Sequence, residues 1–160
     1  MTRAVLAASV LLLAACGSDT DSDSGAATAT LEDDGMVVRD PWTRPTPPGV
    51  SEASFYLEIE NLDAPDDRLL GGRSNRCFTV HPHITEIDDN DVSRMTTADD
   101  SELTLTTGSM LALEPNGLHL MCVGLDAPIE EGDDIELELV FERHGTIAVD
   151  VEVTQDPNAA

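Results

Sequence analysis

From residue 36 onward the chain reads as short apolar runs separated by turn residues, and no stretch keeps the spacing of an amphipathic helix. Alternation is clearest in Ile135-Glu136-Leu137-Glu138-Leu139 and in Val149-Asp150-Val151-Glu152-Val153. Each run has one apolar and one acidic face, the signature of a half-solvated antiparallel sheet. The first run loses its alternation at Val140-Phe141, which signals either a covered second face or a bulge. The pattern predicts strands over 37–39, 53–60, 68–74, 78–87, 93–97, 102–106, 110–113, 118–125, 135–143 and 146–153. Turns are marked by Pro45-Thr46-Pro47-Pro48-Gly49, Asn61-Leu62-Asp63, Pro115-Asn116-Gly117, Glu131-Gly132-Asp133 and His144-Gly145. Pro115-Asn116-Gly117 predicts a tight reversal that sets 110–113 beside 118–125. The fold class is all-β: a β-sandwich or small Greek-key barrel of about 8–10 short strands. Trp42 and Met110 are expected in its core.

The first residues read as an address. Met1-Thr2-Arg3 is a short positive segment, followed by an apolar and small-residue stretch over 4–15 that is too short for a bilayer, which needs about 20 residues. The stretch ends in Leu13-Ala14-Ala15-Cys16, which resembles the bacterial lipobox. That resemblance implies cleavage before Cys16 after its acylation with diacylglycerol. Gly17 to Ala29 holds no large apolar residue and cannot bury enough surface to fold. The expected organisation is a lipoprotein signal peptide over 1–15, a flexible acidic tether over 16–35, one folded domain over 36–154 and a tail over 155–160. Such a protein sits at the extracytoplasmic face of the bacterial cell membrane and touches it through the N-terminal lipid only.

Charge narrows the partners. The chain has 8 basic and 32 acidic side chains and a formal net charge of -24, and every basic residue is Arg. A surface this acidic repels phosphate backbones and anionic lipid headgroups, which excludes nucleic acid and a polybasic membrane patch.

The candidate chemistry lies in histidine and methionine. His81 and His83 stand at i, i+2, as do His119 and Met121 in a second strand, so each pair shares one face of its strand. Met95 lies between the two pairs, after the acidic turn Asp88-Asp89-Asn90-Asp91. Imidazole and thioether are uncharged, soft or borderline donors that suit Cu(I), whereas hard cations take carboxylates. Taken singly, each of these residues reads as well as core filler or surface polarity.

Five segments together resemble the PCu(A)C family of extracytoplasmic copper chaperones: DPWTRPTPPG at 40–49, ASFYLEIEN at 53–61, DDRLLG at 66–71, LEPNGLHLM at 113–121 and GLDAPIEEGD at 124–133. They run in order through essentially the whole folded part, from about residue 37 to 153. The resemblance implies a cupredoxin-like β-sandwich that binds one copper near its surface and hands it on. The family's copper motif is a His, a Met further on, and a closing His-x-Met. Carried onto this chain, it falls on His83, Met95, His119 and Met121. Both spacings are longer here, with eleven residues between His83 and Met95 and twenty-three between Met95 and His119. The extra residues fall in turn-like acidic segments, where loops lengthen at little entropic cost. The resemblance further implies copper, as Cu(I), for cargo. It names as recipient an exported copper protein such as the dinuclear copper site of cytochrome c oxidase subunit II. His81 lies outside the family motif and is a candidate extra metal ligand; His144, in a turn, has no assigned role.

Setting Cys16 aside leaves Cys77 and Cys122. An even count in an oxidising compartment predicts a disulfide, with thiolate ligation of copper as the alternative. Their strand parities differ relative to the ligands, so both share the ligand face only if a bulge intervenes, for which Pro82 is a candidate place. Two other functions fit a sandwich of this kind: a blue-copper electron carrier and a metal-free interaction module. The first needs a Cys thiolate a short loop from His and Met, which the chain does not offer. An enzyme is not expected, since the sequence holds no nucleophile elbow, P-loop, HExxH or dinucleotide fingerprint.

Overall fold

The computed structural model describes residues 30–155; the signal peptide, Cys16, residues 16–29 of the tether and 156–160 of the tail lie outside them. The described residues form eleven strands and no helix: β1 (Thr30–Asp33), β2 (Met36–Thr43), β3 (Glu52–Asn61), β4 (Asp67–Ser74), β5 (Cys77–Ile87), β6 (Ser93–Thr97), β7 (Thr104–Leu105), β8 (Met110–Leu113), β9 (Leu118–Leu125), β10 (Ile135–Phe141) and β11 (Thr146–Val153). Seven of them close a barrel in the order β2-β11-β10-β4-β5-β9-β3, with β3 returning to β2. Neighbours are antiparallel except β11 and β2, which run parallel through Glu152↔Trp42 and Val153↔Thr43.

Alternation decides what fills the barrel. Phe55, Leu57 and Ile59 of β3, Leu120 of β9, Leu137 and Leu139 of β10 and Ile147 of β11 are all at most 2% exposed. Burying each contributes about 1.5–3 kcal/mol. The acidic residues between them, such as Glu136, Asp150 and Glu152, face solvent. The broken alternation at Val140-Phe141 is a bulge, because the β10–β4 register shifts there.

Several sequence expectations change. Thr30–Asp33, placed in the tether, form a strand that pairs with β2 across the two-residue turn Asp34-Gly35. Both turn residues have positive φ, 40° and 83°, the geometry a tight hairpin needs and Asp-Gly supplies. The 102–106 strand contracts to Thr104–Leu105, since residues 99–103 turn through Glu102 N–H to Asp99 O and Leu103 N–H to Asp100 O. Met110 is 58% exposed rather than core, because it opens β8 at the edge of the sheet. The turn at 114–117 does not pair β8 with β9. Both strands pair the same side of β3, β8 along 57–60 and β9 along 52–55. The turn is therefore a jog in one line of strand, not a reversal.

One charged cluster fastens a loop to the barrel. Arg76 donates to the Pro128 carbonyl at 2.9 Å and to Asp133 at 2.8 Å, and Asp133 also accepts the Glu130 N–H at 3.0 Å. The Glu130 N–H, then the Arg76 guanidinium, hold the Asp133 carboxyl below its ordinary value. A carboxyl lowered by folding stabilises fully above its unfolded value, near pH 4, and loses that contribution as pH falls through the folded one. Asp133→Asn is expected to lower the melting temperature at pH 7, with the gap to wild type closing in strong acid. A gap constant from pH 7 to pH 2 would show that the carboxylate charge is not what matters.

Candidate metal centre

The sequence-predicted residues share the outer face of the barrel, where β6, β5, β9, β3 and β2 lie side by side. Inward positions on β5 and β9 are apolar: Val80, Pro82 and Ile84 on one, Leu118, Leu120 and Cys122 on the other. The residues between them therefore face outward. The β5–β9 register sets His83 directly opposite His119 and His81 directly opposite Met121. On the other side of β5, Thr85 is opposite Met95 and His83 opposite Thr97. Cross-strand partners share a face, so His81, His83, His119, Met121 and Met95 all belong to one surface across three strands. Met95 reaches it from the row of Thr85, two residues along the strand from His83.

A lateral row crosses this wall. Trp42 is paired with Tyr56, with ring centroids 4.6 Å apart. Tyr56 lies 6.3 Å from the His119 ring, and His119 lies 6.4 Å from His83 with the rings 27° from parallel. The Arg44 guanidinium covers both aromatic rings at 5.5 and 5.8 Å. Trp42 is buried as the sequence suggested, but on this outer wall and not inside the barrel.

The two imidazoles are held in the same tautomer. His119 Nδ1 lies 3.0 Å from the Gly117 carbonyl and His83 Nδ1 lies 3.3 Å from the His81 carbonyl. A carbonyl oxygen only accepts, so each Nδ1 carries the proton and each Nε2 keeps its lone pair free. Gly117 owes its position to the jog at 114–117, where Asn116 takes φ 63°. The same carbonyl also accepts the Thr85 N–H at 3.1 Å, which joins the jog to β5.

His119 is only 3% exposed, and its Nε2 is buried without a hydrogen-bond partner. An unpartnered buried nitrogen costs about 1–3 kcal/mol, so a folded protein retains one where it has a use. Two rings bonded to one ion at about 2 Å each have centroids at most about 6.5 Å apart, so His83 and His119 are within reach of a shared ion. Among the described residues no cluster of three or more His, Cys, Asp and Glu could hold a metal. The side chains that share this face are thioethers and imidazoles, neutral groups of the kind that suit a soft ion. Beside them, His81, His83, Thr97, Leu69 and Leu103 line an open cavity of about 420 Å³.

The cysteines lie elsewhere. Cys77 and Cys122 are joined in a disulfide with Cα atoms 5.6 Å apart. Cys122 is fully buried and Cys77 packs against the core. The register runs unshifted through Pro82↔Leu120, so Pro82 is not a bulge. The irregularity is at the other end of the pair, where Phe78 is 90% exposed opposite Gly124, which has φ 78°. A Cβ on Gly124 would sit 3.0 Å from the Phe78 Cβ.

His144 contacts Asp33 at 3.3 Å and the Phe141 ring edge-on, and its contacts include none of the predicted ligands. Sequence reasoning missed Gly117 and Tyr56, which hold and cover His119. The Pro115-Asn116-Gly117 turn was the available signal for the first.

A family model described as "Putative lipoprotein LpqE-like" matches residues 36–153. A protein of Leifsonia xyli subsp. xyli (strain CTCB07), "Putative lipoprotein Lxx21020", is 29% identical over 154 residues, which cover 95% of this chain and 90% of the relative. Among solved structures, the copper-bound PCuAC domain from PmoF2 superposes with a TM-score of 0.63 at 25% identity, over 78% of this chain and 97% of that one. The apo PCuAC domain from PmoF1 gives 0.61 at 21% identity, over 79% and 98%. The Cu(I) form of DR1885 from Deinococcus radiodurans gives 0.57 at 19% identity, over 84% and 85%. The chain therefore has the all-β fold of these PCuAC domains.

Proposed function

This chain belongs to the LpqE-like family, and from that premise we propose that it is an extracytoplasmic, lipid-anchored copper chaperone. It carries one Cu(I) on His83, Met95, His119 and Met121, and delivers it to an exported copper protein such as the dinuclear copper site of cytochrome c oxidase subunit II. It performs no turnover. The observation that carries this reading is the buried, unpartnered Nε2 of His119, opposite a second imidazole in the same tautomer. The copper-bound PmoF2 domain and the Cu(I) form of DR1885 support copper as the cargo. The Leu13-Ala14-Ala15-Cys16 segment and the relative's printed name support the lipid anchor.

The donor set explains how an ion can be both held and released. His119 is buried between Tyr56 and His83, whereas Met95 is 47% exposed. An incoming thiolate meets the exposed thioether first and displaces it, and the buried imidazole lets go last. Each exchange swaps a weak neutral donor for a stronger charged one, so transfer runs toward a thiolate-bearing recipient. The blue-copper alternative needs a thiolate, and both cysteines of the described residues are tied in the disulfide.

Anaerobic titration with Cu(I) against a chromogenic chelator tests the reading. One equivalent is expected to bind, and Met121→Ala is expected to weaken it by about tenfold or more. No Cu(I) binding, or an affinity indifferent to Met95→Ala and Met121→Ala together, overturns it.

A further inference from the structure

We propose that the open edge of β6 takes up an extended, basic segment of a partner protein as an added strand. The proposal stands apart from the copper reading and concerns the metal-free barrel. Among the described residues β6 pairs with β5 and with no other strand. All five of its residues are exposed.

The hydrogen bonds fix which backbone groups the edge offers. The Ala98 N–H donates to the Pro82 carbonyl at 3.2 Å, and the Asp88 N–H to the Val92 carbonyl at 3.0 Å. Bonded and non-bonded pairs alternate along an antiparallel ladder. With Thr97 opposite His83 and Ser93 opposite Ile87, Arg94 and Thr96 turn their backbone groups toward β5. Ser93, Met95 and Thr97 turn theirs away. Three N–H and three C=O groups are thus aimed outward along about 13 Å of strand. Natural edges are shielded by shortness, Lys, Pro, a bulge or an inward charge. Apart from its shortness β6 has none of these: its register with β5 is unbroken, and its one charged side chain, Arg94, lies 3.9 Å from Asp88.

Two further features choose the occupant. At its Thr97 end the edge opens on the cavity of about 420 Å³, which Leu69, Leu70 and Leu103 help to wall. A strand added to an edge is held by its main chain and selected by pockets for alternate side chains, so an apolar side chain at that end has a place. Charge is the second feature. Residues 86–102 hold seven carboxylates and one basic residue. Asp89 and Asp91 lie beyond one end of β6 and Asp99 beyond the other, all exposed. The segment that fits is apolar at alternate positions and carries a cation at each end. A second copy of this chain does not fit, because pairing β6 with β6 brings like charges together.

The test titrates the metal-free full chain at low salt with an octapeptide of alternating threonine and valine that carries arginine at both ends, followed by amide NMR and hydrogen exchange. Saturation is expected to slow exchange of the Met95 and Thr97 amides about tenfold and to leave those of Arg94 and Thr96, already bonded to β5, unchanged. Replacing both arginines by glutamate is expected to weaken binding about tenfold. Thr97→Pro removes an outward N–H without touching the β5 ladder and is expected to weaken binding about fivefold. Leu70→Ala, at a half-exposed position of the cavity wall, serves as a second variant with a similar loss, about fivefold. No binding, protection that spares Met95 and Thr97, equal affinity for the glutamate-ended peptide, or full affinity in both variants overturns the proposal. A concentration-dependent dimer that protects the same two amides gives the edge to a second copy and overturns it as well.

Discussion

Replacing His119 by leucine is expected to weaken Cu(I) binding by more than a hundredfold without lowering the stability of the metal-free protein. The first effect follows from the proposed role of His119 as a ligand; losing a mere outer-shell partner already costs ten- to a hundredfold. The second effect separates a functional histidine from a structural one. His119 Nε2 is buried and unpartnered, a state that costs about 1–3 kcal/mol, and leucine removes it while filling similar space. The Nδ1–H bond to Gly117 is lost as well, which offsets part of the gain. Thermal unfolding of the metal-free protein is therefore expected to give a melting temperature at or above that of wild type. A marked fall would assign His119 to the fold. Retained Cu(I) affinity would remove it from the site.

The disulfide gives the largest expected loss of stability. Cys77 and Cys122 are 45 residues apart in sequence, and closing a loop of that length in the unfolded chain is worth about 4 kcal/mol on the chain-entropy account. The Cys77→Ala/Cys122→Ala variant is expected to melt roughly 12–20 °C below wild type. Its Cu(I) stoichiometry should stay at one, because Cys122 lies in the core behind the wall that carries Met121. Calorimetry and titration of the same sample check both statements. A fall of only a few degrees would make the bridge incidental to stability, and loss of Cu(I) binding in the folded variant would make it part of the site.

Local pattern made much of the barrel legible. Ile135-Glu136-Leu137-Glu138-Leu139 and Val149-Asp150-Val151-Glu152-Val153 alternate in sequence and form the paired strands β10 and β11. β1 was hidden because its residues sit in an acidic, apolar-poor segment, where the Asp34-Gly35 hairpin was the only marker. The 114–117 turn misled for a different reason. A tight turn looks the same in sequence whether the chain reverses or steps sideways, and only pairing with β3 decides.

The site divides along the same line. That His81 shares a face with His83, and His119 with Met121, is a matter of parity and could be read directly. That β5 and β9 are neighbours, and that His83 meets His119 rather than a residue two places away, depends on pairing between distant segments. Burial of His119 was still less accessible. A residue between Leu118 and Leu120 reads as the solvent side of a strand, and it is covered only because β3 brings Tyr56 alongside it.

Trp42 and Tyr56 are the sole tryptophan and the sole tyrosine of the chain, and they pack against each other, rings tilted by 39°, next to His119. Nearly all near-ultraviolet absorbance and emission of this molecule therefore originates at one spot on its outer wall. Light reads the condition of that wall, His119 included, and is almost blind to the opposite side of the barrel. A fluorescence melting curve of this chain follows that wall more closely than the rest of the barrel.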